Sequence, residues 1–302
     1  MIPYSPLQLL FFFFVYCFIG WIIESTWVSL HQHRFVNRGF MRGPFIPIYG
    51  FGAMALLLVG TPLLKWPVAV FFGGLLAASI LEYITGTLME AIFKVRYWDY
   101  TGKFMNINGH VCLFTSVCWG FLAMVEDYVI HKPIEALSNY MTTKELNLIV
   151  AVITIYFTAD VTLSFKAAFD MRAIIIKMEK AKDELRLMQK RLDVMLAYMD
   201  ADKDEFIEES KDKAEGLYKG IETKFEVLKK QMEEKPSMFA ENVKEELKEL
   251  KEKYAYHKEE SDLRGFKGFY NRGLILGNPT MVSKKFKDSF ETIRDYVNDK
   301  KK

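Results

Sequence analysis

Four carboxylates interrupt stretches of this chain that are rich in phenylalanine, leucine, isoleucine and valine: Glu24, Glu82, Glu90 and Asp160. An ionisable side chain inside a bilayer is costly, so it usually faces a polar cavity, binds a partner or carries a proton. In such a cavity a carboxylate could bind substrate, take up protons or act as a general acid or base. The simpler alternative is that these acids are buried hydrogen-bonding groups that hold helices together.

The composition divides the chain into two parts. The protein has 302 residues, of which 51% are hydrophobic and 15% aromatic. Residues 1–165 hold nine of the 40 lysines and arginines and nine of the 38 aspartates and glutamates. We therefore predict a membrane domain over residues 1–169 and a water-soluble helical tail over residues 170–302. In the tail the positive and negative side chains are interleaved, which indicates no nucleic-acid partner.

Five segments are long and apolar enough to cross the hydrocarbon core of a bilayer, which takes about 20 residues of helix. No basic residues precede the first apolar run, so we interpret it as a retained span rather than a cleavable signal peptide. The predicted fold class is therefore all-α, a membrane bundle of five spans followed by a cytoplasmic helical, coiled-coil tail. The five spans are about Leu7–Leu30, Ile46–Leu64, Val68–Phe93, Val111–Ile130 and Leu146–Phe169.

The distribution of basic residues between the spans predicts their direction. The loop after the first span carries Arg34, Arg38 and Arg42 without an acid, and the loop after the third carries more basic residues than acids. The two alternate loops are poorer in basic residues or balance them with acids. Because basic loops remain in the cytoplasm, we expect the N-terminus outside the plasma membrane and the tail inside.

Glu82 and Glu90 share one face of the third predicted span. With Gly86 between them they follow i, i+4, i+8 spacing, which extends over about 12 Å of helix. The glycine allows another backbone or a ligand to approach this face closely. Glu24 and Asp160 lie late in their own spans, so the predicted orientation places all four acids toward the cytoplasmic side.

The two predicted cytoplasmic loops add polar side chains at the same level. In the first loop, glycines and prolines prevent a long regular helix, and irregular backbone at membrane depth must be buried in protein or line a polar cavity. Its Arg38 and Arg42 could pair with the acids or bind an anionic ligand, or else only contact lipid phosphates. The second loop supplies Asp99 and His110, although a lone histidine at a helix start is more typical of a cap than of a base.

The remaining motifs indicate no metal or cofactor. The chain has no HExxH motif, and its three cysteines lie in apolar segments without CxxC spacing. It also lacks the GxxxxGK[ST] loop of ATPases and the GxSxG motif of serine hydrolases. These familiar enzyme classes are therefore disfavoured. Glu126 and Asp127, at the outer end of the fourth span, are interpreted as interfacial residues that meet water.

Several blocks of the first part are distinctive: GWIIE (20–24), NRGFMRGPFIPIYGFG (37–52), LEYITGTLME (81–90), YWDYTGKFMNINGHVCL (97–113) and SVCWG (116–120). In this order they resemble the putative ABC-transporter type IV, or CmpB-like, membrane proteins over roughly residues 7–165. A weaker likeness lies near Asn278–Val297. The resemblance implies a permease that works with a separate ATPase subunit, but the chain has no EAA-type loop for docking one.

Heptad spacing dominates the start of the tail. A series of apolar residues before residues 200–206 follows 3–4–3–4 spacing, and a second apolar seam follows after them. They predict a coiled-coil hairpin over residues 170–235 with residues 200–206 as its turn, or pairing between subunits. Short helices are predicted within residues 240–298, with a glycine-rich loop at Arg264–Pro279.

Three functions fit these features. The favoured one is a permease-like protein whose acidic, cytoplasm-facing cavity binds substrate or protons. The alternatives are a membrane-embedded enzyme acting on a lipid or isoprenoid headgroup through a Glu/Arg cluster, and a membrane-anchored coiled-coil scaffold or sensor. The expected partners are membrane lipid, a separate ATPase subunit and a second copy of the chain bound through the tail. The candidate site residues are Glu24, Glu82, Glu90, Asp160, Arg38, Arg42, Asp99 and His110.

Overall fold

The computed structural model is built from helices, which confirms the predicted all-α class. The described part of the chain contains no β-strand, and its extended pairings are two isolated bridges, Arg96–Val282 and Ile107–Val111. The structure describes residues 4–198, 214–234, 241–260 and 268–299.

The chain forms two compact units. The first, here the membrane unit, comprises Met1–Asp170 together with Gly268–Lys284. The second, here the tail unit, comprises Met171–Lys267 together with Lys285–Lys302. A short segment near the C-terminus therefore belongs with the membrane unit, although it is remote from that unit in sequence.

The helices are bounded by residues typical of helix ends. They are α1 (Pro6–Gln32), α2 (Pro47–Gly60), α3 (Pro67–Phe93), α4 (Leu113–Val125), α5 (His131–Tyr140), α6 (Thr143–Tyr198), α7 (Ala214–Glu234), α8 (Glu241–Glu260), α9 (Phe269–Leu276) and α10 (Lys287–Asp299). A 3₁₀ turn, Thr61–Leu63, follows α2, and a π-helical turn, Glu126–Ile130, joins α4 to α5. Proline begins α1, α2 and α3, where its missing N–H leaves no helical hydrogen bond unmade.

Within the described residues, four helices are long and apolar enough to cross a membrane. They are α1, α3, the continuous helix Leu113–Tyr140, and the part of α6 over Thr143–Leu196. The apolar stretch Pro47–Leu63 is shorter. The 14 residues of α2 extend over about 21 Å, against roughly 30 Å for the hydrocarbon core. The chain is therefore a membrane protein with four such helices, where the sequence predicts five spans.

Residues 33–46, here the returning segment, lead the chain back beside α1. The N–H of Ile46 donates to the carbonyl of Cys17 at 3.1 Å, so α2 begins next to the middle of α1. From there α2 runs toward the start of α1, where Leu57 lies. A Cβ at Gly50 would lie 2.5 Å from the Cys17 sulfur, so the close approach of α1 and α2 requires glycine.

Small side chains bring α3 and α4 together. A Cβ at Gly74 would lie 2.2 Å from the Cβ of Ala123, and the Ser79 hydroxyl donates to the Ser116 hydroxyl at 2.7 Å. Small residues with an interhelical hydrogen bond are the usual means of helix association in lipid. The α6 helix instead uses aromatic rings, with Phe157 against the phenylalanines of α1.

The π-helical turn changes the direction of two acidic side chains. Glu126 and Asp127 are only 4% and 7% exposed, so the prediction that they meet water is wrong. The turn adds one residue to the helical repeat and thereby rotates these side chains into the bundle. Asp127 Oδ2 lies against Gly60, where a side chain would leave it no space.

The tail unit is built around an apolar cluster shared by α6, α7 and α8. Leu192 of α6, Ile221 and Leu228 of α7, and Leu250 and Tyr254 of α8 are all buried in it. Part of the predicted apolar seam of α6 is buried in this cluster, namely Leu185, Met188, Leu192 and Met195, and α8 joins α6 and α7 there. Residues 200–206, the predicted turn, lie outside the described residues, and the coiled-coil hairpin stays a prediction. The predicted glycine-rich loop at Arg264–Pro279 is wrong in part, because α9 lies within it.

Replacing Gly74 by alanine should weaken the contact between α3 and α4, because the new methyl group overlaps Ala123. We expect the free energy of unfolding to fall by about 1–3 kcal/mol, the usual effect of overpacking. The melting temperature of the detergent-purified protein measures this loss.

The matched control is Gly52→Ala in α2, where the nearest atom outside the local backbone lies 4.0 Å from the added Cβ. This variant should melt as the wild type does or slightly higher, because alanine favours helix over glycine. Equal destabilisation of both variants would contradict the packing assigned to Gly74.

Candidate functional site

An ion pair between α1 and the returning segment forms the first part of the candidate site. Arg38 Nε lies 3.5 Å from Glu24 Oε2. The hydroxyl of Tyr49, on α2, donates to Glu24 Oε1 at 2.8 Å. Arg38 Nη1 donates to Asn278 Oδ1 at 2.6 Å, which ties the pair to the segment that follows α9. Two charges and two polar side chains from four parts of the membrane unit thus meet here.

This ion pair lies in the wall of a cavity of about 470 Å³, here the main cavity. Its volume is within the usual range of about 300–1,000 Å³ for small-molecule sites. Most of the wall is aromatic or aliphatic, so the few polar groups must decide how a ligand is oriented. The lining includes Glu24, Arg38, Tyr49, Trp98, Asn278, Phe40, Phe51, Leu88, Met89, Phe157 and Phe165.

Glu82 lies deeper, on α3, and is 5% exposed. Its carboxylate accepts hydrogen bonds from the Tyr100 hydroxyl at 3.0 Å and from Trp119 Nε1 at 3.1 Å. Burial and the charge of Glu82 raise the pKa of Tyr100, so its hydroxyl stays a donor. The ring of Tyr49 packs edge-on against Trp119 with centroids 5.8 Å apart, which connects the surroundings of Glu24 with those of Glu82.

The third part of the candidate site is formed by Glu90, which lies one turn from the end of α3, and by the loop between α3 and α4. Glu90 lies 2.8 Å from Arg96 Nε and 3.1 Å from His110 Nε2. Gly86 allows the imidazole to lie directly on α3, since a Cβ there would be 2.8 Å from His110 Nδ1. Glu82, Gly86 and Glu90 therefore all face the loop between α3 and α4, as their spacing predicts.

Asp99 joins the Glu90 cluster from the loop. Its Oδ1 lies 3.3 Å from Arg96 Nη1 and 3.7 Å from Lys284 Nζ, and it accepts from the Thr101 N–H at 3.0 Å. Burial alone would raise the pKa of Asp99, but the Thr101 hydrogen bonds and the two positive charges hold it below its ordinary value. Burial and the charge of Arg96 lower the pKa of His110, which favours a neutral ring.

Asp160 and Arg42 lie outside the three parts of the candidate site built around Glu24, Glu82 and Glu90. The Asp160 carboxylate is 3% exposed and accepts the N–H of Gly43 at 2.7 Å, so it fixes the returning segment to α6. Arg42 donates to the carbonyl of Gly273 at 3.0 Å and lies over the ring of Phe269. Neither residue lines the main cavity. Their contacts support the irregular backbone around the site.

The structure adds residues that the sequence analysis does not single out. Tyr49, Tyr100 and Trp119 hydrogen-bond the acids, Arg96 pairs with Glu90, and Asn278 holds Arg38. Aromatic residues at a span end are equally typical of the headgroup interface, so residue type gives no distinguishing signal. For Asn278 the only sequence signal is the weak family likeness near the C-terminus.

The side chains of the candidate site are not arranged as the ligands of a metal ion. Across the part of the chain that the structure describes, no three His, Cys, Asp or Glu side chains converge as metal ligands would. The acids are instead bound by tyrosine, tryptophan and arginine donors. Such an arrangement can orient a polar ligand, and it can hold or release a proton.

Arg96 should be a stability determinant of the site. Its replacement by methionine leaves Glu90 without its ion pair and removes the hydrogen bond to the Asn108 carbonyl at 2.8 Å. Because Glu90 is partly exposed, we expect a loss of about 2 kcal/mol, below the roughly 3–5 kcal/mol of fully buried pairs. Lys103→Met, the same change at an exposed position of the same loop, should leave the melting temperature unchanged. An equal loss in both variants would contradict the assignment.

Comparison with known proteins gives a family but no closer relative. No curated protein and no solved structure matches the chain significantly. The profile of one family, described as putative ABC-transporter type IV, matches residues 11–165. That range covers half of the chain and contains most of α1, the returning segment, α2 to α5 and all of the predicted site residues. The chain belongs to the putative ABC-transporter type IV family.

Proposed function

We propose that this protein is a permease-like membrane subunit whose main cavity binds a small amphipathic substrate. The observation that supports this most strongly is the Glu24–Arg38 pair in the wall of a cavity of about 470 Å³. The family and the apolar helices fit a membrane transporter-like protein. The main cavity would be the site at which the substrate binds.

The lining of the cavity supports the amphipathic character of the substrate. Aromatic and aliphatic side chains would cover an apolar body, and the side chain of Glu24, 33% exposed, is open to a polar head. Arg38 is already engaged by Glu24 and Asn278, so a ligand that separates the pair must replace those contacts. A hydrogen-bonding head carrying a positive charge, or both charges, has the chemistry to do so.

The path of the chain supports five membrane passages. The C-terminal end of α1 and the C-terminal end of α3 lie on the same side, because Arg38 of the first loop pairs with Glu24 and the second loop contacts Glu82 and Glu90. The segment after α9 contacts both loops, through Asn278 and Thr280. The returning segment and α2 must therefore carry the chain back across between them. With the basic loops inside, we propose an N-terminus outside the plasma membrane and a cytoplasmic tail.

The division into a membrane domain over residues 1–169 and a cytoplasmic tail over 170–302 is part of this proposal. The family supports a separate ATPase subunit as partner, and membrane lipid would surround the apolar helices. Self-association through the tail is a further expectation, based on its apolar seam.

Substrate binding can be tested before the substrate is identified. The wild type and a Glu24→Gln variant are purified in lipid nanodiscs, and native mass spectrometry records the small molecules that remain bound. We expect a ligand of defined mass on the wild type and its loss from Glu24→Gln, because the amide no longer pairs with Arg38 or with a charged head.

Asp170→Asn, an acid-to-amide change at an exposed position of α6, is the matched control and should retain the ligand. The same compound should then exchange across proteoliposomes with the wild type but not with Glu82→Gln. Equal ligand retention by Glu24→Gln and Asp170→Asn would overturn the assignment of the cavity. Chemical conversion of the compound by the purified protein would favour a membrane-embedded enzyme instead.

A further inference from the structure

A further buried acid, Glu126, lies at the other end of the membrane unit. Glu126, in the π-helical turn, is 4% exposed, and within the described residues no hydrogen-bond partner reaches its Oε1. The Tyr16 hydroxyl hydrogen-bonds the carboxylate, but a buried carboxylate with one unpaired oxygen is still costly when ionised, and taking up a proton reduces that cost. π-Helical turns are frequent at functional positions, so this placement calls for a functional explanation.

Glu126 lines a narrow cavity that is distinct from the main cavity and that Glu82 also lines. This cavity lies between α1, α2, α3 and α4 and measures about 50 Å³. Between the two acids the wall is formed mostly by apolar side chains, including Ile19, Ala53, Leu56, Leu81 and Leu122. The arrangement is thus a short apolar passage with one carboxylate in the wall near each end.

The passage is too long for direct proton transfer, but it has room for bridging water molecules. Trp119, which donates to Glu82, lies seven residues before Glu126 on the same helix, a rise of about 10 Å. Direct proton transfer cannot cover that distance. A water needs roughly 10–15 Å³ of such volume, so the cavity has room for about three waters, enough to connect the two carboxylates.

From Glu126 a series of polar side chains continues toward the start of α1. Tyr16 lines the same cavity, and its hydroxyl lies 3.1 Å from His131 Nδ1. The other ring nitrogen, His131 Nε2, lies 3.0 Å from the hydroxyl of Tyr4, which is partly exposed. An imidazole between two hydroxyls can accept a proton on one nitrogen and release one from the other.

We propose that the membrane unit contains a proton path from Glu82 across the narrow cavity to Glu126 and then through Tyr16 and His131 to Tyr4. At each step one O–H or N–H bond breaks as the next forms, so one proton moves and no electron is transferred. The path does not depend on which molecule occupies the main cavity. The titratable groups that line the narrow cavity with Glu126 are Tyr16 from α1, Tyr49 from α2 and Glu82 from α3. Asp127 and His131 lie near Glu126 on its own helix.

Proton flux in proteoliposomes tests this path. The vesicles carry a pH-sensitive dye inside, and valinomycin with a potassium gradient sets the driving potential. The internal pH should change faster in vesicles that contain the wild type than in protein-free vesicles. Glu126→Gln should fall to the protein-free rate, because the amide cannot take up and release the proton.

Glu145→Gln is the matched control, the same acid-to-amide change at an exposed position of α6 that does not line the narrow cavity. It should conduct as the wild type does. Leu122→Ser places a hydroxyl in the apolar passage and should raise the flux, a gain that misfolding could not produce. A wild-type rate equal to that of protein-free vesicles would overturn the proposal. So would equal flux in Glu126→Gln and Glu145→Gln.

Discussion

The architecture depends on satisfying the backbone of the returning segment without help from water. Irregular backbone at membrane depth is tolerated only where protein groups take up its hydrogen bonds. Asp160 accepts the N–H of Gly43, and the hydroxyls of Ser29 and Ser25 accept those of Val36 and Arg38 at 2.9 and 3.1 Å. Asn278 donates to the carbonyl of Gly39 at 2.8 Å. These contacts come from α1, α6 and the segment after α9, so the three elements jointly fix the position of α2.

That constraint assigns different tasks to the four acids in the apolar helices. Asp160 binds the backbone of the returning segment, Glu82 accepts hydrogen bonds from Tyr100 and Trp119, and Glu90 anchors the second loop through Arg96. Of the four, Glu24 is the acid that lines the main cavity, where its side chain remains partly exposed. The same residue type therefore supports the fold at one position and offers a charge to a ligand at another, depending on how many donors the surrounding elements provide.

The features that depend on local pattern could be predicted from the sequence. The length of the apolar stretches predicts the helical class and the positions of the long helices. The spacing of Glu82, Gly86 and Glu90 predicts that they share one helix face. The burial of Glu126 could not be predicted, because a π-helical turn shifts the helical repeat without a sequence signal of its own. The contact of Asn278 with Arg38 joins residues 240 positions apart, and no local periodicity contains such information.

The central claim is that a ligand is held in the main cavity at the Glu24–Arg38 pair. The most direct test is a cryo-EM map of the full chain in nanodiscs made from the membranes in which it is expressed. The account predicts non-protein density inside the cavity, within hydrogen-bonding distance of the Glu24 carboxylate and enclosed by Phe40, Phe51 and Phe165. A cavity closed by direct contact of those rings, with no density beside Glu24, would contradict it.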